Sequence, residues 1–147
     1  MARTHCVAFA GAKRFSGLEK PIERVLFLAF SFLKERAAFC EVHCLTDAAM
    51  RSLNRSARGK SEHATVLSFP AAPSFPRPDV PKGVRYLGEI YLAPDTIARK
   101  GEWPLPRYLV HGALHLLGYT HSLQSDRIEM ESREAEIAAC LKKEGAL

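Results

Sequence analysis

The chain has 147 residues, with 21 Lys and Arg against 16 Asp and Glu, a formal net charge of +5 and a hydrophobic fraction of 47%. That length and balance suit one globular domain that buries its core without cross-links; they exclude an intrinsically disordered chain and argue against several domains. The mild positive charge by itself selects no partner, because nucleic-acid binders and many metabolic enzymes share it.

Residues 4 to 10 predict a first strand, and Gly11 to Gly17 a polar turn. A helix follows Pro21, with Ile22, Leu26, Ala29 or Phe30, and Leu33 spaced at 3.6 residues and an end expected near Ala38. Its greasiest run, Val25 to Leu33, is roughly half the ~20 residues needed to cross a bilayer and is flanked by charges, so it reads as a core helix and not a membrane span. Val7 to Ala10 is too short for a signal peptide and is followed by Lys13 and Arg14, so the expected location is cytoplasmic.

Residues 40 to 45 predict a short strand, and Thr46 with Asp47 an N-cap for a helix carrying Ala49, Met50 and Leu53 on one side and leaving between Asn54 and Gly59. Arg55 to His63 is a polar, basic stretch, Ala64 to Phe69 a strand stopped by Pro70, and the five prolines between Pro70 and Pro81 a stiff extended loop. Tyr86 to Leu92 is the next strand. Short helices are expected from Pro94 to about Lys100 and from Pro104 or Pro106 to Gly118. A last helix, Gln124 to Lys143, has Ile128, Met130, Ala135, Ile137 and Leu141 as its apolar side. About four strands and five helices make an α+β (mixed α/β) structure around a single small sheet, with residues 1–147 as one domain. The strand order is not legible at this level.

Cys6, Cys40, Cys44 and Cys140 are too few and scattered for a disulfide framework. On a strand Cys40 and Cys44 share a face but stand ~13 Å apart, too far for one bridge or one ion, so they are expected to be buried, inert thiols.

Three of the six histidines fall in one segment, His111-Gly112-Ala113-Leu114-His115-Leu116-Leu117-Gly118-Tyr119-Thr120-His121. On a helix His111 and His115 stack one turn apart on one face, within reach of a single ion. Gly118 can take a positive φ, end the helix and return His121 as a third ligand, while Val110, Leu114 and Leu117 face the core. Three imidazoles and one open position are the arrangement of catalytic zinc, which acidifies a water to a pKa of about 7. The spacing equals that of the metzincin peptidases, but their general-base Glu is replaced here by Gly112, which disfavours peptide hydrolysis.

The segment resembles the signature of the YbeY family of endoribonucleases, H-G-x-L-H-L-x-G-Y-D-H. Leu53-Asn54 with Arg58-Gly59-Lys60, Val66-Leu67-Ser68-Phe69-Pro70 and Leu87-Gly88-Glu89-Ile90 resemble further motifs of that family, in its order. The resemblance implies a zinc ion, one per chain, held by His111, His115 and His121 in a cleft, and single-strand-specific RNA cleavage in rRNA maturation, ribosome biogenesis and ribosome quality control. It implies Arg58 as the catalytic cation and Arg58, Lys60 and Ser68 as substrate contacts. A guanidinium suits that role, being always charged and able to hold a phosphate through two parallel hydrogen bonds. The implied partners are single-stranded RNA of the small subunit and the ribosome or its assembly factors, with no membrane.

The chain departs from the pattern twice: Thr120 stands where the signature has Asp, and Ala64-Thr65 where the family has Thr-Asp. Each removes a carboxylate that would orient ligands, which Asp126, Glu129 or Glu62 would have to replace. Arg51, Arg55, Arg58 and Lys60, with Lys82 and Arg85, suit either an RNA track or a solvated basic surface. Tyr119, Phe69 and Trp103 are more readily core aromatics than base platforms. The alternative function is a non-catalytic ribosome-assembly factor with a structural zinc, and a divergent metallopeptidase ranks last.

Overall fold

A computed structural model describes residues 5–60, 62–72 and 78–147. Residue 4 of the expected first strand, residue 61 of the basic stretch and residues 73–77 of the proline-rich loop lie outside the described residues. The elements are β1 (Cys6–Gly11), a 3-10 turn (Lys13–Leu18), α1 (Glu19–Phe32), β2 (Ala38–Cys44), α2 (Asp47–Arg58), β3 (Val66–Pro70), β4 (Arg85–Leu92), α3 (Pro94–Lys100), α4 (Leu105–Leu116) and α5 (Gln124–Lys143). Among the described residues this is an α+β fold around one four-stranded sheet in the order β1-β2-β4-β3. The first three strands run parallel and β3 pairs antiparallel with β4.

Strand alternation and the apolar stripes of three helices build the core. In β2 every second residue, Ala38, Cys40, Val42 and Cys44, is buried. With Ile90 and Leu92 of β4 they meet Ile22, Leu26, Ala29 and Phe30 of α1 and Leu109, Ala113 and Leu114 of α4. Each large side chain buried this way contributes roughly 1.5–3 kcal/mol. α5 adds Met130, Ile137 and Leu141 from outside, while a smaller cluster of Met50, Leu67 and Ala93 is packed by Leu53 of α2. Cys40 and Cys44 are buried and unbridged, and burial pushes their thiols up to about 12 and about 11. No described helix is long and apolar enough to cross a membrane.

Three expectations need correction. α1 ends at Phe32 and not near Ala38, because Lys34 takes φ 62° and the chain reverses through Lys34 N–H to Ser31 O and Glu35 N–H to Phe30 O, both 3.0 Å. This is a Schellman stop without glycine, so composition did not announce it. α2 runs through Arg58, making Arg55 to Arg58 helical; it buries Met50 and Asn54 and leaves Ala49 exposed, its N–H held by the capping Thr46 hydroxyl. On α5 the buried stripe is Met130, Glu134, Ile137, Ala138 and Leu141, whereas Ile128 is 60% exposed and Ala135 lies in solvent. Ile128 precedes Met130 by two positions, about 200° round the helix.

Gly88 fixes where β3 can lie. Its φ is 133°, and a Cβ there would stand 2.2 Å from the Phe69 carbonyl oxygen, so only glycine lets the two strands meet at the Pro70–Gly88 pair. β3 thereby presents Ser68 to the cleft beneath α4.

Candidate metal centre

α4 lies across β3 and β4 with Gly112 as its point of closest approach. A Cβ on Gly112 would sit 3.1 Å from Ile90 Cγ2 and 3.3 Å from Val66 Cγ2. The position after the first His therefore packs onto the sheet, and no general base stands there.

His111 and His115 project from successive turns of α4. The helix then closes through Gly118 at φ 98°, with Gly118 N–H donating to His115 O at 3.1 Å and Tyr119 N–H to Leu114 O at 3.0 Å. That reversal brings His121 back as the spacing requires, and one nitrogen from each of the three imidazoles lies within 4.8 Å of the others. The group is placed to hold a metal ion.

The outer nitrogens settle how the inner ones are presented. His111 Nδ1–H donates to Glu134 Oε1 at 2.5 Å, and His115 Nδ1–H donates to the Tyr119 carbonyl at 2.9 Å. Both partners are oxygen acceptors, so each ring keeps its lone pair on Nε2. Those two Nε2 atoms face each other at 3.1 Å. Two lone pairs make no hydrogen bond, and a cation that both could ligate would reconcile the contact. Burial, and next the proximity of the His111 imidazole, lowers the His115 pKa, which keeps that imidazole neutral and able to ligate. The donor set fits zinc: three neutral nitrogens, two of them oriented by oxygen partners, with His121 exposed on the open side.

Arg58, Ser68, Phe69, Tyr119 and Thr120 share one cleft of about 410 Å³ with the three histidines. Arg58 reaches that wall because α2 ends on Gly59 at φ 68°. Asn54, 2% exposed, braces the turn: its Nδ2 donates to Glu62 O at 3.1 Å, and its backbone carbonyl accepts Lys60 N–H at 3.5 Å. Lys60 is exposed and does not line the cleft. Arg51 is turned to His63 at 2.9 Å, and Lys82 and Arg85 line a separate cavity, so the basic residues do not form one track. Of the remaining histidines, His5 Nδ1 accepts from Ala38 N–H and His43 stacks on Tyr91.

Of the carboxylates expected to compensate for the two departures, Asp126 accepts from the Thr120 hydroxyl at 3.4 Å, while Glu62 and Glu129 are exposed. The carboxylate that touches a ligand is Glu134, which sequence reasoning missed. Its signal was a single acid in the stripe Met130, Ile137, Leu141, where a charge is expensive unless it has a partner.

A family model described as endoribonuclease YbeY matches residues 14–142. The chain is 40% identical over 102 residues to the endoribonuclease YbeY of a Chelativorans species, covering 65% of this chain and 61% of that one. It is 36% identical over 137 residues to that of Nitrobacter winogradskyi, covering 86% and 71%, and 39% identical over 101 residues to that of Anaeromyxobacter dehalogenans, covering 64% and 49%. The chain thus spans about half to three fifths of the length of several curated relatives it matches. The solution structure of a Thermotoga maritima protein shares the fold, with a TM-score of 0.56 and 21% identity over 95% of this chain and 94% of that one. With the family model spanning nearly the whole fold, from the 3-10 turn through α5, the chain belongs to the YbeY family.

Proposed function

We propose that residues 1–147 form a single zinc-dependent endoribonuclease domain that cleaves single-stranded RNA, with small-subunit rRNA as its substrate in ribosome maturation and quality control. The observation that carries this reading is the pairing of a three-imidazole centre with an arginine in one cleft. The relatives named above carry the same activity in their names.

His111, His115 and His121 would hold the ion, which would supply Lewis acidity at a phosphoryl oxygen and lower the pKa of water toward about 7. Glu134 and the Tyr119 carbonyl keep the Nδ1 protons of His111 and His115 in place, which holds both rings in the ligating orientation. Arg58 binds the non-bridging oxygens of the scissile phosphate and stabilises the charge that grows on them in the transition state. Ser68 lines the same cleft and offers a hydroxyl, and Lys60, outside the cleft, meets the strand beyond it. The ribosome and its assembly factors are the proposed partners, in the cytoplasm.

No carboxylate lines the cleft among the described residues. The proton of either nucleophile, the neighbouring 2′-hydroxyl or a water, therefore has no carboxylate of the cleft to accept it. The ends of the product decide between the routes: a 2′,3′-cyclic phosphate reports 2′-hydroxyl attack, and a linear phosphate reports water. The same observation supports the second reading, a non-catalytic assembly factor with a structural zinc. In that case RNA binding survives in the absence of any cleavage, and His115→Ala harms folding more than Arg58→Ala does.

A further inference from the structure

Two cavities meet at the imidazole triad. Beyond the Arg58 cleft, a second cavity of about 340 Å³ shares His111 and His121 as walls and is lined by Trp103, Arg107, Arg127 and Glu131 among others. The Arg107 guanidinium lies over the Trp103 ring, 5.1 Å from its centroid, and its Nε is buried with no acceptor. Trp103 itself stands 6.0 Å from the His111 ring. Among the described residues neither Arg107 nor Arg127 forms a salt bridge. Glu134 is committed to His111, so two guanidinium groups face a single free carboxylate, that of the exposed Glu131.

Two guanidinium groups lining one cavity without a salt-bridge partner favour an anion there. An indole face beside it calls for a flat, π-bearing group. A cavity near the lower end of the ligand-site range, ~300 Å³, admits a small molecule carrying both. We propose that this second cavity binds a nucleotide next to the scissile phosphate, with its base against Trp103 and its phosphate on Arg107 and Arg127, so that the RNA strand passes over the triad from one cavity to the other. The identity of the strand rests on the endoribonuclease reading; the preference of the cavity for a nucleotide does not.

Trp103 is the only tryptophan of the chain, so its fluorescence reports this cavity alone. The experiment titrates the zinc-loaded full chain with nucleoside 5′-monophosphates, with the matching nucleosides and with inorganic phosphate. The expected result is a saturable quench by the monophosphates, with affinity about tenfold weaker for the nucleoside alone and about tenfold weaker in Arg107→Gln and in Arg127→Gln, each checked for native circular dichroism. Arg85→Gln, in a separate cavity and paired with Glu35, leaves the affinity unchanged. Absence of a saturable quench, equal affinity for inorganic phosphate, or unchanged affinity in both arginine variants overturns the proposal. A saturable, arginine-dependent quench in a chain that cleaves no RNA supports the cavity's assignment while removing the endoribonuclease reading.

Discussion

Glu134 on α5 accepts the Nδ1 proton of His111 on α4 at 2.5 Å, and that carboxylate is only 5% exposed. The contact ties the last helix to the first imidazole of the candidate metal centre. It also explains why a stripe otherwise made of Met130, Ile137 and Leu141 tolerates a charge. A carboxylate on the far nitrogen fixes the tautomer and makes the near nitrogen more basic. Glu134→Gln, which can still hydrogen-bond but carries no charge, is expected to weaken zinc binding about 10–100-fold, as read by competition with a chromophoric chelator. Unaltered affinity would show that Glu134 serves packing alone.

The lowered pKa of His115 sets a direction for pH dependence. Its folded value lies below the ordinary ~6.5, so as pH falls the unfolded chain takes up the proton first. The stability contributed by neutral His115 is complete above about pH 6.5 and is lost as pH falls further toward the folded value. Protons also displace the ion from the ring, so zinc retention on dialysis should drop between about pH 7.5 and about pH 5.5, with the melting temperature falling alongside. Both trends flatten in His115→Asn. Metal retention that does not vary over this range contradicts the assignment of His115.

At Gly88 two constraints coincide, a φ of 133° and a Cβ position 2.2 Å from the Phe69 carbonyl. Gly88→Ala is expected to cost about 2 kcal/mol or more in chemical denaturation and to displace Ser68 from the cleft with the rest of β3. Gly17 is the control, since a Cβ there meets nothing within 4 Å and Gly17→Ala should be close to neutral.

Lys34 holds φ 62° where the α1 stop would accept glycine at no steric cost. Lys34→Gly should raise stability by up to about 1 kcal/mol, with no effect on metal binding. A loss of stability would mean that the lysine side chain makes a contact outweighing the strain.

The imidazole cluster was largely legible in the sequence because its geometry is local. His111, His115, Gly118 and His121 lie within one helix turn-and-stop, and helical spacing plus one positive φ suffices to bring them together. Glu134 was not legible because its partner is 23 residues away and the contact depends on how α5 crosses α4. The same holds for the sheet order, which places β4 between β2 and β3 through pairings between distant segments. α1 was read six residues too long because its stop uses a lysine where glycine is the usual sign. The exit of α2 was bracketed by Asn54 and Gly59, and the helix runs to the far edge of that bracket, so that Arg58 is its last residue and Gly59 its stop.

The most direct test of the account is cleavage of a single-stranded rRNA fragment by zinc-loaded protein freed of contaminating nuclease, run beside Arg58→Ala and His115→Ala with the zinc content of each sample measured. The expected result is about one zinc per chain and cleavage in the parent, retained zinc with cleavage reduced by about 100-fold or more in Arg58→Ala, and loss of both in His115→Ala. Equal cleavage by all three proteins would contradict it.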